Sequence, residues 1–207
     1  MHLEFLLEEP SAKAALEILV PRIVGRSATY RFHAFQGKQD LLRNLPSRLR
    51  GYRRWLPSDW YLVVLLDRDR DNCQELKSHL EQITSEAGFQ TVTSAGKNET
   101  FRVINRIAVE ELESWFFGDV RALASAFPRV PDELGRKTKY RNPDAIRGGT
   151  WETLEKVLQK AGYYRTGLPK IEAASRIAQY MDPDRNRSTS FNTFVRGLRA
   201  LITLRTP

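Results

Sequence analysis

The run WYLVVLL, Trp60 to Leu66, constrains the fold more than any other part of the chain. Seven consecutive apolar residues with no polar alternation suit a strand covered on both faces. Such strands belong to parallel sheets flanked by helices. Neighbouring segments agree. HLEFLL (His2 to Leu7) reads as a short strand ending at Glu8, Glu9 and Pro10, and ATYRFHAF alternates like a second strand. Between them, Ala12, Ala15, Leu16, Leu19 and Ile23 recur at helical spacing over Ala12 to Val24, with Ser11 as the expected cap. Leu41, Leu42, Leu45 and Leu49 share a face of a second helix, in which Pro46 predicts a kink or break. Cys73, Leu76, Leu80, Ile83 and Ala87 mark a third helix, stopped at Gly88. FQTVT and FRVINRIAV are two further strand candidates.

The order β-α-β-α-β-α-β-β predicts an α/β fold: a mostly parallel sheet with helices on both faces. Beyond Glu110 the pattern is helical, over Val109 to Phe117, Val120 to Phe127, Trp151 to Ala161, Lys170 to Met181 and Phe191 to Leu204. A long polar loop, RVPDELGRKTKYRNPDAIRGG, interrupts that series. The expected organisation is an α/β core over 1–127 and a helical C-terminal region over 128–207 packed on it as one compact unit. The single cysteine, Cys73, excludes an internal disulfide, and with the lack of a signal-like start it suggests a soluble cytoplasmic protein. No apolar run is long enough to cross a bilayer. The net charge of +8 favours an anionic partner such as nucleic acid.

The apolar run ends in LDRDRDN, where Asp67, Asp69 and Asp71 alternate with Arg68 and Arg70. If this stretch stays extended, the aspartates project to one side and the arginines to the other. Carboxylates about 4 Å apart repel by roughly 4 kcal/mol at an effective dielectric near 20, so a cation between them would stabilise the crowding. The ordinary alternative is a helix start, with Asp71 as the cap and the acidic side chains at the positive end of the dipole. Glu8, at the end of another strand, favours the cation. All-oxygen ligands suit Mg²⁺ or Mn²⁺, and the three histidines and one cysteine show no zinc spacing. A third acidic group, Glu110, Glu111 and Glu113, leads into a predicted helix, where Glu110 and Glu113 would share a face.

A strand ending in Glu, a helix, and Asp-x-Asp after a later apolar strand resemble the Toprim domain of topoisomerases, primases and small nucleases. LLEEPSAKAAL supplies the glutamate segment, with Glu9 where that domain has glycine, and LLDRDRD supplies the pair. Over most of its length the chain resembles a bacterial family of unknown function, family 4276, often encoded beside an AAA-type ATPase. FQGKQDLL, LLDRDRDNC, IAVEELESWFFGD, YRNPD, LPKIEAASRIAQYMD and NRSTSFNTF carry that likeness. The resemblance implies a Mg²⁺- or Mn²⁺-dependent nuclease acting on DNA or RNA, as an ATPase-linked effector of phage defence. A non-catalytic module of an ATPase complex is the alternative. Glu8, Asp67 and Asp69 would hold the metal, Glu113 or Glu110 would complete the set, and Lys170 would neutralise the phosphate.

Several basic residues suggest substrate contacts. Lys38, in a QGK turn, lies near the acidic cluster; a P-loop is excluded because Phe32 stands where its first glycine belongs. RLRGYRRW interleaves Arg48, Arg50, Arg53 and Arg54 with Tyr52 and Trp55, a pattern suited to phosphates and unpaired bases or, equally, to a basic helix end. Arg68, and Lys137, Lys139 and Arg141 in the long loop, are further candidates for gripping a backbone. In NRSTSF, Ser190 is the expected helix cap and Phe191 a core residue. A haloacid-dehalogenase-type phosphatase also uses Asp-x-Asp, but after its first strand, whereas this pair follows the third.

Overall fold

A computed structural model describes residues 1–25, 28–96 and 100–203. Strands β1 (His2–Leu7), β2 (Thr29–Ala34), β3 (Trp60–Asp67) and β4 (Val103–Ala108) form one sheet in the order β2-β1-β3-β4. All three pairings are parallel. Parallel neighbours need crossovers, and helices α1 (Pro10–Val24), α2 (Lys38–Trp55) and α3 (Cys73–Glu86) lie on them. The chain leaves β1 for β2 on one side, then crosses back over β1 to reach β3. The order therefore reverses between β1 and β3, and in open α/β sheets ligands bind at the carboxyl side of such a switch point.

Strand alternation divides the interior in two. Leu3, Phe5, Leu7, Val63 and Leu65 face α1 and the later helices. Leu6, Leu62, Val64 and Leu66 face α2 and α3, against Leu41, Leu45, Leu49 and Leu80. Helices thus cover both faces, and β3 is buried from Tyr61 to Leu66. The helical remainder comprises α4 (Glu113–Gly118), α5 (Val120–Ala126), α6 (Thr138–Arg141), α7 (Thr150–Lys160), α8 (Lys170–Ala178) and α9 (Thr189–Thr203). α1 packs against α8 and α9, and α9 reaches β4. One apolar cluster runs from Leu3 to Leu201, with Trp115 buried between Phe191 and Phe194.

Several local expectations are corrected. FQTVT is no strand: only Thr91 bridges Val103, and its hydroxyl and backbone turn the chain through contacts with Thr93 and Ser94. Pro46 does not break α2, which runs unbroken from Lys38 to Trp55 because Leu41, Leu45 and Leu49 hold it to the sheet. α1 begins earlier, with Pro10 in its first turn and Glu9 at the cap position; Ser11 lies inside the helix and donates to Glu9. The cap of α3 is Asn72 rather than Asp71, its Oδ1 accepting from the N–H groups of Gln74 and Glu75 at 2.9 and 3.3 Å. The long loop contains the turns Asp132–Arg136 and Pro143–Ala145 as well as α6. α9 is capped by Ser188, whose Oγ accepts from the Phe191 N–H, and by Asp144, which accepts from Thr189 and Ser190; Ser190 instead accepts from the Trp115 indole. The expected end of this helix at Leu204 lies outside the described residues.

Candidate functional site

The carboxyl edge of β1, β3 and β4 gathers the acidic residues because these strands end in register. Leu7 is level with Leu65, and Asp67 with Ala108. Glu8 follows β1 directly, and its Oε2 accepts the Asp67 N–H at 2.8 Å. Asp67 closes β3. Four residues separate the end of β4 from the start of α4 at Glu113, whose side chain is 2% exposed. Glu9, at the cap position of α1, lies 3.9 Å from the Lys170 ammonium.

Charge here is incompletely compensated. Burial raises Glu8 to about 7, the Asp67 N–H opposing the shift and the Asp69 charge reinforcing it. Burial likewise raises Glu113 to about 7 despite the opposing Lys170 ammonium. Asp67 is pushed well above the usual aspartate range, first by burial and then by the charges of Glu113, Glu8, Glu9 and Asp69. It keeps a narrow window to solvent although protein surrounds it on nearly every side. Glu113 Oε2 is buried with no hydrogen-bond partner. Burial works against the charge of Lys170, yet Glu113, Glu9, Glu111 and Asp67 outweigh it and raise its pKa. Its ammonium also lies 4.8 Å from the centre of the Trp151 ring.

The extended DRDRD arrangement is corrected beyond Asp67. Asp69 has φ +51°, so the chain turns away, and its N–H donates to the Glu110 carbonyl at 2.7 Å. Glu110 has φ +63°; two non-glycine residues in this sparsely populated region meet at one edge. Lys38 occupies the ground the sequence left to a cation or a phosphate. Its Nζ lies 2.7 Å from Asp69 Oδ2, 2.7 Å from Asp71 Oδ2 and 3.0 Å from the Arg68 carbonyl. Burial opposes its charge, but the two aspartates raise its pKa overall. Gly37, at φ +98°, makes the turn that allows this, its N–H donating to the Glu8 carbonyl. Glu9 is extended at φ −143°, so this turn requires no glycine where the Toprim pattern has one.

The three glutamates after β4 take three different tasks. Glu110 pairs with Arg68 and does not share a helix face with Glu113, because the helix begins only at Glu113. Glu111, which drew no role from sequence, accepts from Thr150 N–H, Thr150 Oγ1 and Trp151 N–H at 2.7–2.8 Å and so fixes the start of α7. Only Glu113 joins Glu8 and Asp67. A depression of about 600 Å³ at the same sheet edge is lined by Lys38, Asp69, Asp71, Glu110, Glu111 and Gly149, and not by Glu8, Asp67 or Glu113 themselves.

The donors are all oxygens and lack counter-charge, which suits a hard divalent cation. The orphaned Glu113 Oε2 and the raised pKa values of Glu8, Asp67 and Glu113 supply the fit. As arranged, no three His, Cys, Asp or Glu side chains among the described residues converge on one point. Binding a cation therefore requires side-chain rotation.

The remaining basic candidates lie elsewhere. Arg50, Arg53 and Arg54 are exposed near the end of α2, and fifteen residues of helix separate Arg53 from Lys38, about 22 Å. That end lies at the amino edge of the sheet, where Trp60 begins β3. Lys137, Lys139 and Arg141 are exposed and make no ion pair among the described residues.

Fold and edge together define an α/β protein with an acidic site at the switch point of a four-stranded parallel sheet. The chain belongs to the family described as Domain of unknown function (DUF4276), whose model matches residues 7–199. It is also similar to a solved structure, the C-terminal region of the Xanthomonas campestris pv. campestris OLD protein, at 14% identity and TM-score 0.49. That likeness covers 98% of this chain and 96% of the other. No curated protein matches the chain. Among the described residues no helix is long and apolar enough to cross a membrane.

Proposed function

We propose that the chain is a Mg²⁺- or Mn²⁺-dependent nuclease of Toprim type, cleaving phosphodiesters of DNA or RNA. The observation that carries this reading is the trio of half-buried Glu8 and Asp67 and buried Glu113, delivered by three elements to one strand edge with too little counter-charge. These three would hold the metal, and Asp69 would join them once released by Lys38. A bound divalent cation polarises the phosphodiester and lowers the pKa of an attacking water. Glu8, raised to about 7 by burial, would give up its proton as it takes the cation. Lys170, held over Trp151, would stabilise the charge that develops on the phosphate. Because Lys170 reaches Glu9 across the chain, residues 1–127 and 128–207 would act as one unit. The resemblance in sequence supports an AAA-type ATPase partner and a role in phage defence, and the single cysteine supports a cytoplasmic setting.

A second reading rests on Lys38 and the lack of three convergent ligands. In it the lysines are the resident counter-charges, and the protein is a non-catalytic module of an ATPase complex. The purified chain, with and without the neighbouring ATPase, should be incubated with Mn²⁺ and labelled single-stranded DNA, duplex DNA and RNA. Cleavage abolished by Asp67→Asn and Glu113→Gln but retained by Glu110→Gln supports the nuclease. All substrates left intact with both proteins present reject it, and ATPase association that survives the same substitutions supports the module.

A further inference from the structure

Away from the acidic edge, a cleft of about 420 Å³ opens between β2, the outer strand of the sheet, and α2. Glu4 on β1 and Glu8 just beyond its end are four residues apart, so the cleft floor lies roughly 13 Å from Glu8 along the strand direction. That floor is polar and ordered. Glu4 is 2% exposed; its Oε1 meets His2 Nε2 at 3.1 Å, and its Oε2 meets His33 Nε2 and, at 3.3 Å, the Tyr52 hydroxyl. With the one carboxylate of the cleft engaged in this way, the two arginines on its walls are left over. Arg31 on β2 and Arg48 on α2 make no ion pair among the described residues, and the charge of each acts on the Tyr52 hydroxyl.

Two features of α2 suit a planar group between those arginines. Gly51 sits in the middle of the helix, where glycine is unfavourable, and a Cβ placed there would meet nothing within 4 Å. Packing within the chain does not require this glycine; its absence of a side chain leaves one wall of the cleft flat and open. One turn further on, Trp55 is 57% exposed and is held edge-on by Trp60, so its ring is positioned rather than loose. A flat wall, a fixed indole and two arginines without a carboxylate partner, Arg48 lying 5.7 Å from the centre of the Phe35 ring, match the parts of a nucleotide: a base that stacks and a phosphate.

We propose that this cleft binds a nucleotide, the base against Gly51 and Trp55 and the phosphate between Arg31 and Arg48. The site is separate from the carboxylate trio and does not depend on its chemistry. The nucleotide is either free or an unpaired residue of a strand, and titration distinguishes the two.

Isothermal titration calorimetry on the full chain with each of the four ribonucleoside monophosphates, inorganic phosphate and a short single-stranded oligonucleotide tests the assignment. At least one monophosphate should bind saturably and more tightly than phosphate. Trp55→Ala and Arg48→Ala should each raise Kd by about 10-fold or more. Gly51→Leu should abolish binding while raising Tm, because it fills the cleft and favours the helix, and Asp67→Asn should bind as the wild type does. An oligonucleotide that binds more tightly with the same sensitivities assigns the cleft to a strand; equal or weaker binding assigns it to a free nucleotide. No saturable binding, phosphate binding as tightly as any nucleotide, or binding indifferent to Gly51→Leu overturns the proposal.

Discussion

Replacing Glu113 by Gln should stabilise the metal-free protein, and increasingly so as pH rises from 5 to 8. The native glutamate titrates near 7 instead of 4.5, chiefly because burial disfavours its charge. A carboxyl whose pKa is raised in the fold binds its proton more tightly there than in the unfolded chain. The stability from that proton is complete below about 4.5 and is lost as pH rises through about 7. Integrating the shift gives a cost of ionising Glu113 of about 1 kcal/mol at pH 5, about 2 at pH 6 and about 3 at pH 8. Glutamine keeps the shape and removes the charge. For a chain of this size 1 kcal/mol moves Tm by about 2–4 °C, so Glu113→Gln should raise Tm by about 6–12 °C at pH 8 and by no more than about 4 °C at pH 5. Because Asp67 titrates against the same charge, the variant should also lose less stability with pH overall. Thermal melts in EDTA across pH 5–8.5 measure this directly. A gain equal at both ends of the range, or a loss at pH 8, refutes the claim that Glu113 is a buried charge without adequate compensation.

Four further outcomes are expected. Mn²⁺ at about 100 times its Kd should stabilise the wild type by about 2.7 kcal/mol at pH 8, and Asp67→Asn should abolish the effect in the same melts. Lys38→Met removes the clamp on Asp69 and Asp71, and should tighten Mn²⁺ binding in calorimetry. Gly118→Ala should cost at least about 2 kcal/mol in urea unfolding, because its Cβ would lie 1.9 Å from Asn186 Oδ1 and 3.0 Å from the Ser188 backbone nitrogen. Asp119→Ala should cost about 1–3 kcal/mol in the same assay, since it leaves the N–H groups of Ala122 and Asp182 without their acceptor, while the half-exposed Arg185 keeps Asp182 as a partner.

Sequence alone determined the parallel α/β sheet, because burial on both faces leaves a mark in the residues themselves: WYLVVLL has no polar side to turn outward. It also determined that Glu8 and Asp67 stand at strand ends, since the strand patterns stop beside them; that the helix expected over Val109 to Phe117 begins only at Glu113 came from the tertiary structure. Tertiary structure decided which of the crowded carboxylates share a site. Asp69 and Asp71 were indistinguishable from Asp67 by spacing, and only the turn at Asp69 and the arrival of Lys38, 31 residues earlier in the chain, drew them away. Glu111 looked like one more helix-start acid until α7 came back to meet it. The arginines of α2 were likewise sorted by three-dimensional placement: Arg48 beside Glu4 and Trp55 on the cleft, Arg53 over Phe89 on another surface. The difference has one physical cause. Periodicity records which face of an element is buried, whereas the partner of a charge is set by the register and crossover that bring distant residues together.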